Sequence, residues 1–126
     1  MSKTIVNTDK APAPIGPYSQ AVKAGEFLFL SGQIALIPGT LELKNGNITE
    51  ETAQVMENLE AVLEKAGFNF SNVVKTTIFL KEMSFFAEVN AEYGKYFVKD
   101  FPARETVAVK SLPKDVNVEI SMIAAS

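Results

Sequence analysis

Two charged side chains near the C-terminus, Arg104 and Glu119, are of the types best suited to act on a small anionic molecule. An arginine can hold a carboxylate through two parallel hydrogen bonds, and an ionised glutamate can take a proton from water. Apolar and polar residues alternate around both positions, which predicts strands over residues 104–109 and 116–124. The question is then whether the two side chains point to the same side of a sheet.

Strand alternation predicts the face that each residue takes. Ile120 suits a helix-covered core, so Glu119 points to the opposite side. If Val107 also takes the core side, Arg104 and Thr106 face away from the core. We therefore expect Arg104, Thr106 and Glu119 to share the uncovered face of two neighbouring antiparallel strands. A solvated surface salt bridge would use the same residue types, so the pattern leaves a structural role open.

Three more polar side chains occupy positions where chemistry is conceivable. Tyr18 follows a Gly-Pro pair, Ser31 precedes Gly32 at a strand end, and Asn90 lies on the side of a helix that is predicted to be buried. A half-buried amide must find hydrogen-bond partners, in a ligand or in the protein. A packed aromatic ring, a strand-end turn and an internal cross-brace are the corresponding structural interpretations.

The composition removes several kinds of chemistry. The chain has no Cys and no His, which excludes disulfides, thiolate nucleophiles, zinc–thiolate and iron–sulfur sites, and the Ser-His-Asp arrangement. There is no P-loop, dinucleotide fingerprint or nucleophile elbow. Acid–base chemistry must therefore come from carboxylates, Tyr, Lys or held water, and we expect neither a metal nor a cofactor.

Length and charge predict one acidic domain over residues 1–126. A hydrophobic content of 47% is rich for 126 residues, which indicates that some apolar surface serves a subunit interface. The formal charge of −3 and the pI near 5.0 offer no general attraction to nucleic acid. The first sixteen residues contain no apolar stretch typical of a signal peptide or membrane span. We therefore expect a cytoplasmic location, with no membrane partner.

Hydrophobic periodicity, together with the positions of turn and capping residues, predicts the order β-β-β-α-β-α-β-β. The first helix is expected to begin at an N-cap on Thr49 and to end before Gly67, with Gln54 on its wet face. The second is expected to begin near Ser84 and to run to about Lys99. Strands are expected over residues 4–6, 21–23, 27–31, 73–80, 104–109 and 116–124. This is an α+β domain with two helices packed on one face of a mixed sheet.

Four blocks of the sequence, in order and covering most of the chain, resemble the RidA (YjgF-like) family. They are APIGPYSQA at residues 13–21, LSGQI at 30–34, VNAEY at 89–93 with YF at 96–97, and FPAR at 101–104 followed by LPKD at 112–115 and VEI at 118–120. The resemblance implies a chorismate-mutase-like fold and a homotrimer with three equivalent clefts between neighbouring subunits. It also implies hydrolytic deamination of reactive 2-imino acids to 2-keto acids and ammonia, a form of metabolite damage control.

The resemblance also implies roles for individual residues. At the matching positions of the family, the arginine (Arg104) grips the substrate carboxylate and the glutamate (Glu119) positions a water. Thr106 stands where many members have Cys, and it is expected to contribute mainly its backbone carbonyl. Glu105 is also unusual, and alternation points it away from Arg104, toward the helix side or a strand edge. The other residues implied to line the pocket are Tyr18, Ser31, Gly32 and Asn90, with Tyr18 as a possible proton relay.

Two other functions stay open. A non-catalytic sensor of small 2-keto or 2-imino acids would use Arg104 in the same way, but would gain nothing from Glu119 beside an anionic ligand. A ribonuclease or translation inhibitor, an activity of some relatives, is disfavoured by the acidic pI and the absence of His.

Overall fold

The structure is a computed structural model that describes residues 2–126. Its strands are β1 (Thr4–Val6), β2 (Ala21–Ala24), β3 (Phe27–Gln33), β4 (Val73–Leu80), β5 (Ala103–Ala108) and β6 (Val118–Ala125). Its α-helices are α1 (Ile48–Lys65) and α2 (Phe86–Gly94). Both pack on one side of a six-stranded mixed sheet, which we call the helix-covered face; the other side is the open face. The α+β class and the order of elements are as predicted.

The strand order of the sheet is β1-β2-β3-β6-β4-β5. Strands β4 and β5 are parallel, because α2 carries the chain back between them, and every other pair is antiparallel. Strand β4 therefore lies between β5 and β6. The prediction that the last two strands are antiparallel neighbours is wrong, because β6 pairs with β3 and β4 and leaves β5 at the edge.

Helix α1 begins two residues earlier than predicted. Asn47, not Thr49, is the N-cap, and its side chain accepts a hydrogen bond from the backbone N–H of Glu50 at 2.8 Å. Gly67 follows the helix with φ +82°, the left-handed conformation predicted for that position. Gln54 is buried rather than wet, because its amide donates to Asn58 at 2.9 Å inside the fold.

Helix α2 is shorter than predicted at both ends. A 3-10 turn over Met83–Phe85 precedes it, and Ser84 provides no cap. It ends at Gly94 rather than near Lys99, because the chain turns there so that the rings of Tyr96 and Phe97 pack edge-on against Phe70.

The core fills the space between the sheet and the helices, whereas the open face carries exposed apolar side chains. Ile5, Phe27 and Phe29 are 52%, 48% and 47% exposed. No helix within residues 2–126 is both long and apolar enough to span a membrane. The same residues hold no group of three or more acidic, His or Cys side chains placed to bind a metal ion.

Candidate functional site

The structure gathers most of the predicted site residues into a cleft of about 490 Å³, which we call the Glu119 cleft. Tyr18, Ser31, Gly32 and Glu119 all line it. The turn that precedes β6 contributes Pro113 and Lys114, and the remaining lining comes from Pro12, Ile15, Gln20, Gln33, Ile34 and Leu36.

A bulge in β3 shapes this cleft. Leu30 pairs with Met122 and Gln33 with Ile120, so that two residues of β3, Ser31 and Gly32, stand opposite a single residue of β6. Such bulges bend a strand and redirect its side chains, and they are common beside active sites.

Gly32 lies directly against the carboxyl group of Glu119. A methyl group added at Gly32 would lie 2.9 Å from Cδ and 3.1 Å from Cγ of Glu119. No larger residue fits unless Glu119 moves, so glycine is needed here for close approach rather than for its backbone freedom.

Burial raises the pKa of the Glu119 carboxyl above its ordinary value. No salt bridge to this carboxylate forms within the part of the chain that the structure describes. A carboxyl group that is partly desolvated and forms no salt bridge among the described residues is suited to accept a proton.

Gln20, which the sequence analysis did not single out, organises the N-terminal side of the cleft. Its buried side chain accepts from the N–H of Thr8 at 2.7 Å and donates to the carbonyls of Thr8 and Pro12, each at 2.9 Å. Its own carbonyl accepts from the N–H of Ser31 at 2.9 Å, and the Ser31 hydroxyl donates to the Ser19 carbonyl. The proline-rich loop is thereby fixed to β3. The feature of the sequence that could have identified Gln20 is its place between the proline-rich loop and a strand.

Tyr18 projects from the same loop and is 54% exposed, so it is not a packed core aromatic. Its hydroxyl accepts a long hydrogen bond of 3.4 Å from the N–H of Ile15. The phenol therefore faces the Glu119 cleft with its donor hydrogen available to a ligand.

Arg104 lies in a second cleft of about 540 Å³, the Arg104 cleft, lined by Asn90, Tyr93, Gly94, Phe101, Pro102 and Arg104. The guanidinium donates through Nη1 to Oδ1 of Asn90 at 2.8 Å. It lies 5.2 Å from the ring centre of Tyr93 and 5.8 Å from that of Phe86. Asn90 is exposed, so the predicted buried position is wrong, although its amide does find a partner. These contacts fix the arginine, and its other N–H groups have no hydrogen-bond acceptor among residues 2–126.

The predicted shared face of Arg104, Thr106 and Glu119 is wrong. Arg104 aligns with Thr76 of β4, which aligns with Met122 of β6, and both are buried on the helix-covered face. Thr106 takes the same side as Arg104, whereas Glu119 points to the open face. The face of Arg104 was misjudged because Val107, the one valine of β5, points to the open side, while α2 supplies the rings of Phe86 and Tyr93 that contact the arginine.

Two residues of the edge strand β5, Thr106 and Glu105, differ from the usual family pattern, and the structure places both. The Thr106 hydroxyl oxygen is buried and has no hydrogen-bond partner among the described residues, and Thr106 lines neither cleft. Glu105 points to the open face, not the helix side: it accepts from the Thr77 hydroxyl and pairs with Lys75 at 3.0 Å. The Thr77 hydrogen bond, followed by Lys75, lowers the pKa of the Glu105 carboxyl.

The comparisons with known proteins agree in sequence and in fold. Residues 8–126 match the model of the family described as Endoribonuclease L-PSP. A RutC family protein of Pyrococcus horikoshii is 51% identical over 122 residues, covering 97% of each chain. The chain belongs to the RidA (YjgF-like) family. The sequence-based identification is thus confirmed.

Solved RidA-family structures share the whole architecture. RidA from an Antarctic Psychrobacter is 41% identical with a TM-score of 0.93, covering 98% of this chain and 99% of that one. The YjgF gene product from E. coli is 42% identical with a TM-score of 0.92, covering 97% and 98%. RidA-family membership therefore extends over nearly the full length of the protein.

Proposed function

We propose that this protein hydrolyses reactive 2-imino acids, such as 2-iminopropanoate (the tautomer of 2-aminoacrylate), to 2-keto acids and ammonia. The observation that carries the proposal is the carboxyl group of Glu119, held against Gly32 in a cleft and partly withdrawn from water. Membership of the RidA family adds weight, because imine deamination is the activity that the resemblance implies.

We further propose that the working site forms between two copies of the chain in a homotrimer. Within one chain, Arg104 and Glu119 open to different sides of the sheet, so a small substrate cannot reach both. In the trimer, the Arg104 cleft of one subunit faces the Glu119 cleft of its neighbour. The exposed apolar residues of the open face, Phe27 and Phe29 among them, supply surface for subunit packing.

The reaction needs only a held substrate and an activated water. Arg104 binds the substrate carboxylate, and this fixes the electrophilic imine carbon. Glu119 takes a proton from water as the oxygen attacks that carbon, giving a carbinolamine. The proton then passes to nitrogen from Glu119 or Tyr18. Glu119 then takes the hydroxyl proton of the carbinolamine and transfers it to the amino nitrogen, so that the C–N bond breaks, ammonia leaves, and the oxygen becomes the keto group of the product.

The remaining residues support these steps. Asn90 holds Arg104 in place through the 2.8 Å hydrogen bond. Ser31 and Gly32 form the bulge that admits Glu119, and backbone N–H groups near Gly32 help to hold the substrate carboxylate. Thr106 lines neither cleft within one chain, so the backbone carbonyl contact that the resemblance implies for it would form only where the two clefts meet in the trimer. No metal or cofactor enters this scheme, because the imine carbon is already electrophilic.

A coupled assay tests the proposal. An amino-acid oxidase generates the imino acid in the presence of semicarbazide, and semicarbazone formation is followed with and without the protein. The wild type should lower semicarbazone formation, and Arg104→Ala should restore it. Lys44→Ala is the matched control, because Lys44 is exposed and lines neither cleft.

The result also separates the other functions. No effect by the wild type across several amino acids, together with binding of a 2-keto acid that Arg104→Ala abolishes, would favour non-catalytic sensing instead. Cleavage of RNA in a parallel incubation, unaffected by Arg104→Ala, would favour the activity in the family's description.

A further inference from the structure

A second glutamate, far from solvent, is unexplained by the proposed chemistry. Glu51 lies in the first turn of α1 with 0% of its surface exposed, and it forms no salt bridge within residues 2–126. Both of its carboxylate oxygens are used on one residue. Oε2 accepts from the backbone N–H of Asn117 at 2.8 Å, and Oε1 accepts from Nδ2 of Asn117 at 2.8 Å.

Burial of a carboxylate is costly unless hydrogen bonds compensate, so this contact holds Asn117 strongly. The third polar group of Asn117 is also engaged, because its carbonyl accepts from the N–H of Lys81 at 2.9 Å. Asn117 is therefore fixed on both sides, by α1 and by the end of β4.

The segment around Asn117 forms one wall of the Glu119 cleft. In the turn Pro113–Asp115, Lys114 and Asp115 have φ of +54° and +55°, a left-handed conformation that is uncommon for non-glycine residues and is most unusual here for Lys114. Pro113 and Lys114 line the cleft. Asn117 thus sits between a strained turn and β6, two residues before Glu119.

We infer that Glu51 is a positioning residue for the Glu119 cleft: its buried carboxylate anchors Asn117, and thereby sets the turn Pro113–Asp115 and the placement of Glu119 against Gly32. The side chains of Asn117 and Glu119 are two residues apart, so a tilt of the chain at Asn117 carries directly to Glu119. The space beside Gly32 leaves little tolerance for such a tilt.

The kinetic test of this inference rests on the proposed hydrolysis. Glu51→Ala is compared with Glu51→Gln, which re-forms both hydrogen bonds if the Asn117 amide rotates. Below the melting temperature, Glu51→Ala should lower kcat about ten-fold or more, with KM within about two-fold, because Arg104 is untouched. Glu51→Gln should recover most of the loss.

Leu63→Ala is the matched control for destabilisation, since Leu63 is a buried residue of the same helix that lines neither cleft. It should melt lower yet keep the wild-type kcat. A wild-type kcat in Glu51→Ala, or an equal loss of kcat in Leu63→Ala, would overturn the positioning role. If Glu51→Ala does not fold, Asn117→Ala, which removes one of the two hydrogen bonds, takes its place with a smaller loss expected.

A second readout does not depend on activity. Hydrogen exchange at the Asn117 amide should be slow in the wild type and in Leu63→Ala, and fast in Glu51→Ala. The Glu119 carboxyl, followed by carbon NMR, should titrate closer to its ordinary range in Glu51→Ala. If hydrogen exchange at the Asn117 amide and the titration of Glu119 are both unchanged in Glu51→Ala, the inference is refuted even if the enzyme is active. If the wild type hydrolyses no imine, the proposed function fails, and these two measurements still decide the role of Glu51.

Discussion

Arg104 and Glu119 lie on opposite faces of one sheet, on strands β5 and β6, with β4 between them. Two strand spacings, about 10 Å, separate β5 from β6, and Glu119 lies three residues further along the strands than the level of Arg104. A three-carbon imino acid cannot bridge them within one chain. If both residues act on one substrate molecule, each must come from a different subunit.

Mixed trimers of two inactive variants should therefore regain activity. Arg104→Ala and Glu119→Gln are each expected to be inactive alone. A trimer containing both has one cleft where an intact Arg104 meets an intact Glu119, so random mixing should restore about one quarter of the wild-type rate. The measurement is imine hydrolysis after the two variants are unfolded and refolded together.

The double variant, with both changes in one chain, is the control, because a trimer made only of this chain lacks both residues in every cleft. Refolding it alone should restore nothing. A mixture of the single variants that also stays inactive, although mass spectrometry shows that subunits have exchanged, would contradict the shared cleft.

Arg104 is the only arginine in the sequence, so arginine-selective chemistry reports on it alone. Phenylglyoxal should inactivate the protein with a single label, and pyruvate, a 2-keto acid product, should slow the labelling by occupying the guanidinium. Arg104→Lys should remain about 100-fold below the wild type in kcat/KM, because an ammonium cannot make the paired contact to a carboxylate. Labelling that pyruvate does not slow would count against carboxylate binding at Arg104.

Gly32→Ala should displace Glu119, because the added methyl group meets the carboxyl group at 2.9 Å from Cδ. Because the clash falls on the end of a side chain and not on backbone, we expect a small loss of stability and a fall of about 100-fold in kcat as the carboxyl group is displaced. Gly46→Ala is the control, since a methyl group there meets only the flexible end of Glu50. Thermal melting and the coupled assay measure the two effects. A fully active Gly32→Ala protein would show that the close contact is dispensable.

The sequence was sufficient for the elements of the fold but not for the order of its strands. Periodicity located both helices and all six strands, because each buries a continuous apolar stripe or face. The position of β4 between β5 and β6 depends on how α2 packs. That packing cannot be predicted from a local sequence pattern. The short α2 shows the same limit, since Tyr96 and Phe97 end it through contacts with Phe70.

The sequence predicted which residues belong to the site better than it predicted how they are arranged. Tyr18, Ser31, Gly32 and Glu119 were candidates from their residue types and positions, the family resemblance implied their roles, and the structure brings them together. The face of Arg104 was misjudged because Val107 of the edge strand β5 is exposed on the open face and not buried in the core. The role of Glu51 could not be predicted, because the sequence does not show that Asn117, sixty-six positions later, contacts it.

The stability of Glu119→Gln should depend on pH in a defined direction. Burial raises the pKa of the Glu119 carboxyl above 4.5 in the fold. The protonated carboxyl thus favours folding, and that contribution is complete below the unfolded pKa and is lost as pH rises through the folded pKa. The neutral amide avoids this loss, so the variant should melt at a higher temperature than the wild type at about pH 7.5. The difference in melting temperature should close toward about pH 4. A variant that melts lower at neutral pH would contradict a destabilised carboxylate.

The rate of hydrolysis should report the same carboxyl group. A general base works only when ionised, so kcat/KM of the wild type should fall on the acid side with an apparent pKa above 4.5, the ordinary value for a glutamate. Tyr18→Phe should leave that acid limb in place, since Glu119 is unchanged, and lower kcat only if the phenol relays the proton to nitrogen. The measurement is kcat/KM across the pH range on imine generated from one amino acid. An acid limb at or below the ordinary glutamate value would show that the group which titrates in catalysis is not the buried Glu119, and would move the search for the base to the solvent-exposed carboxylates.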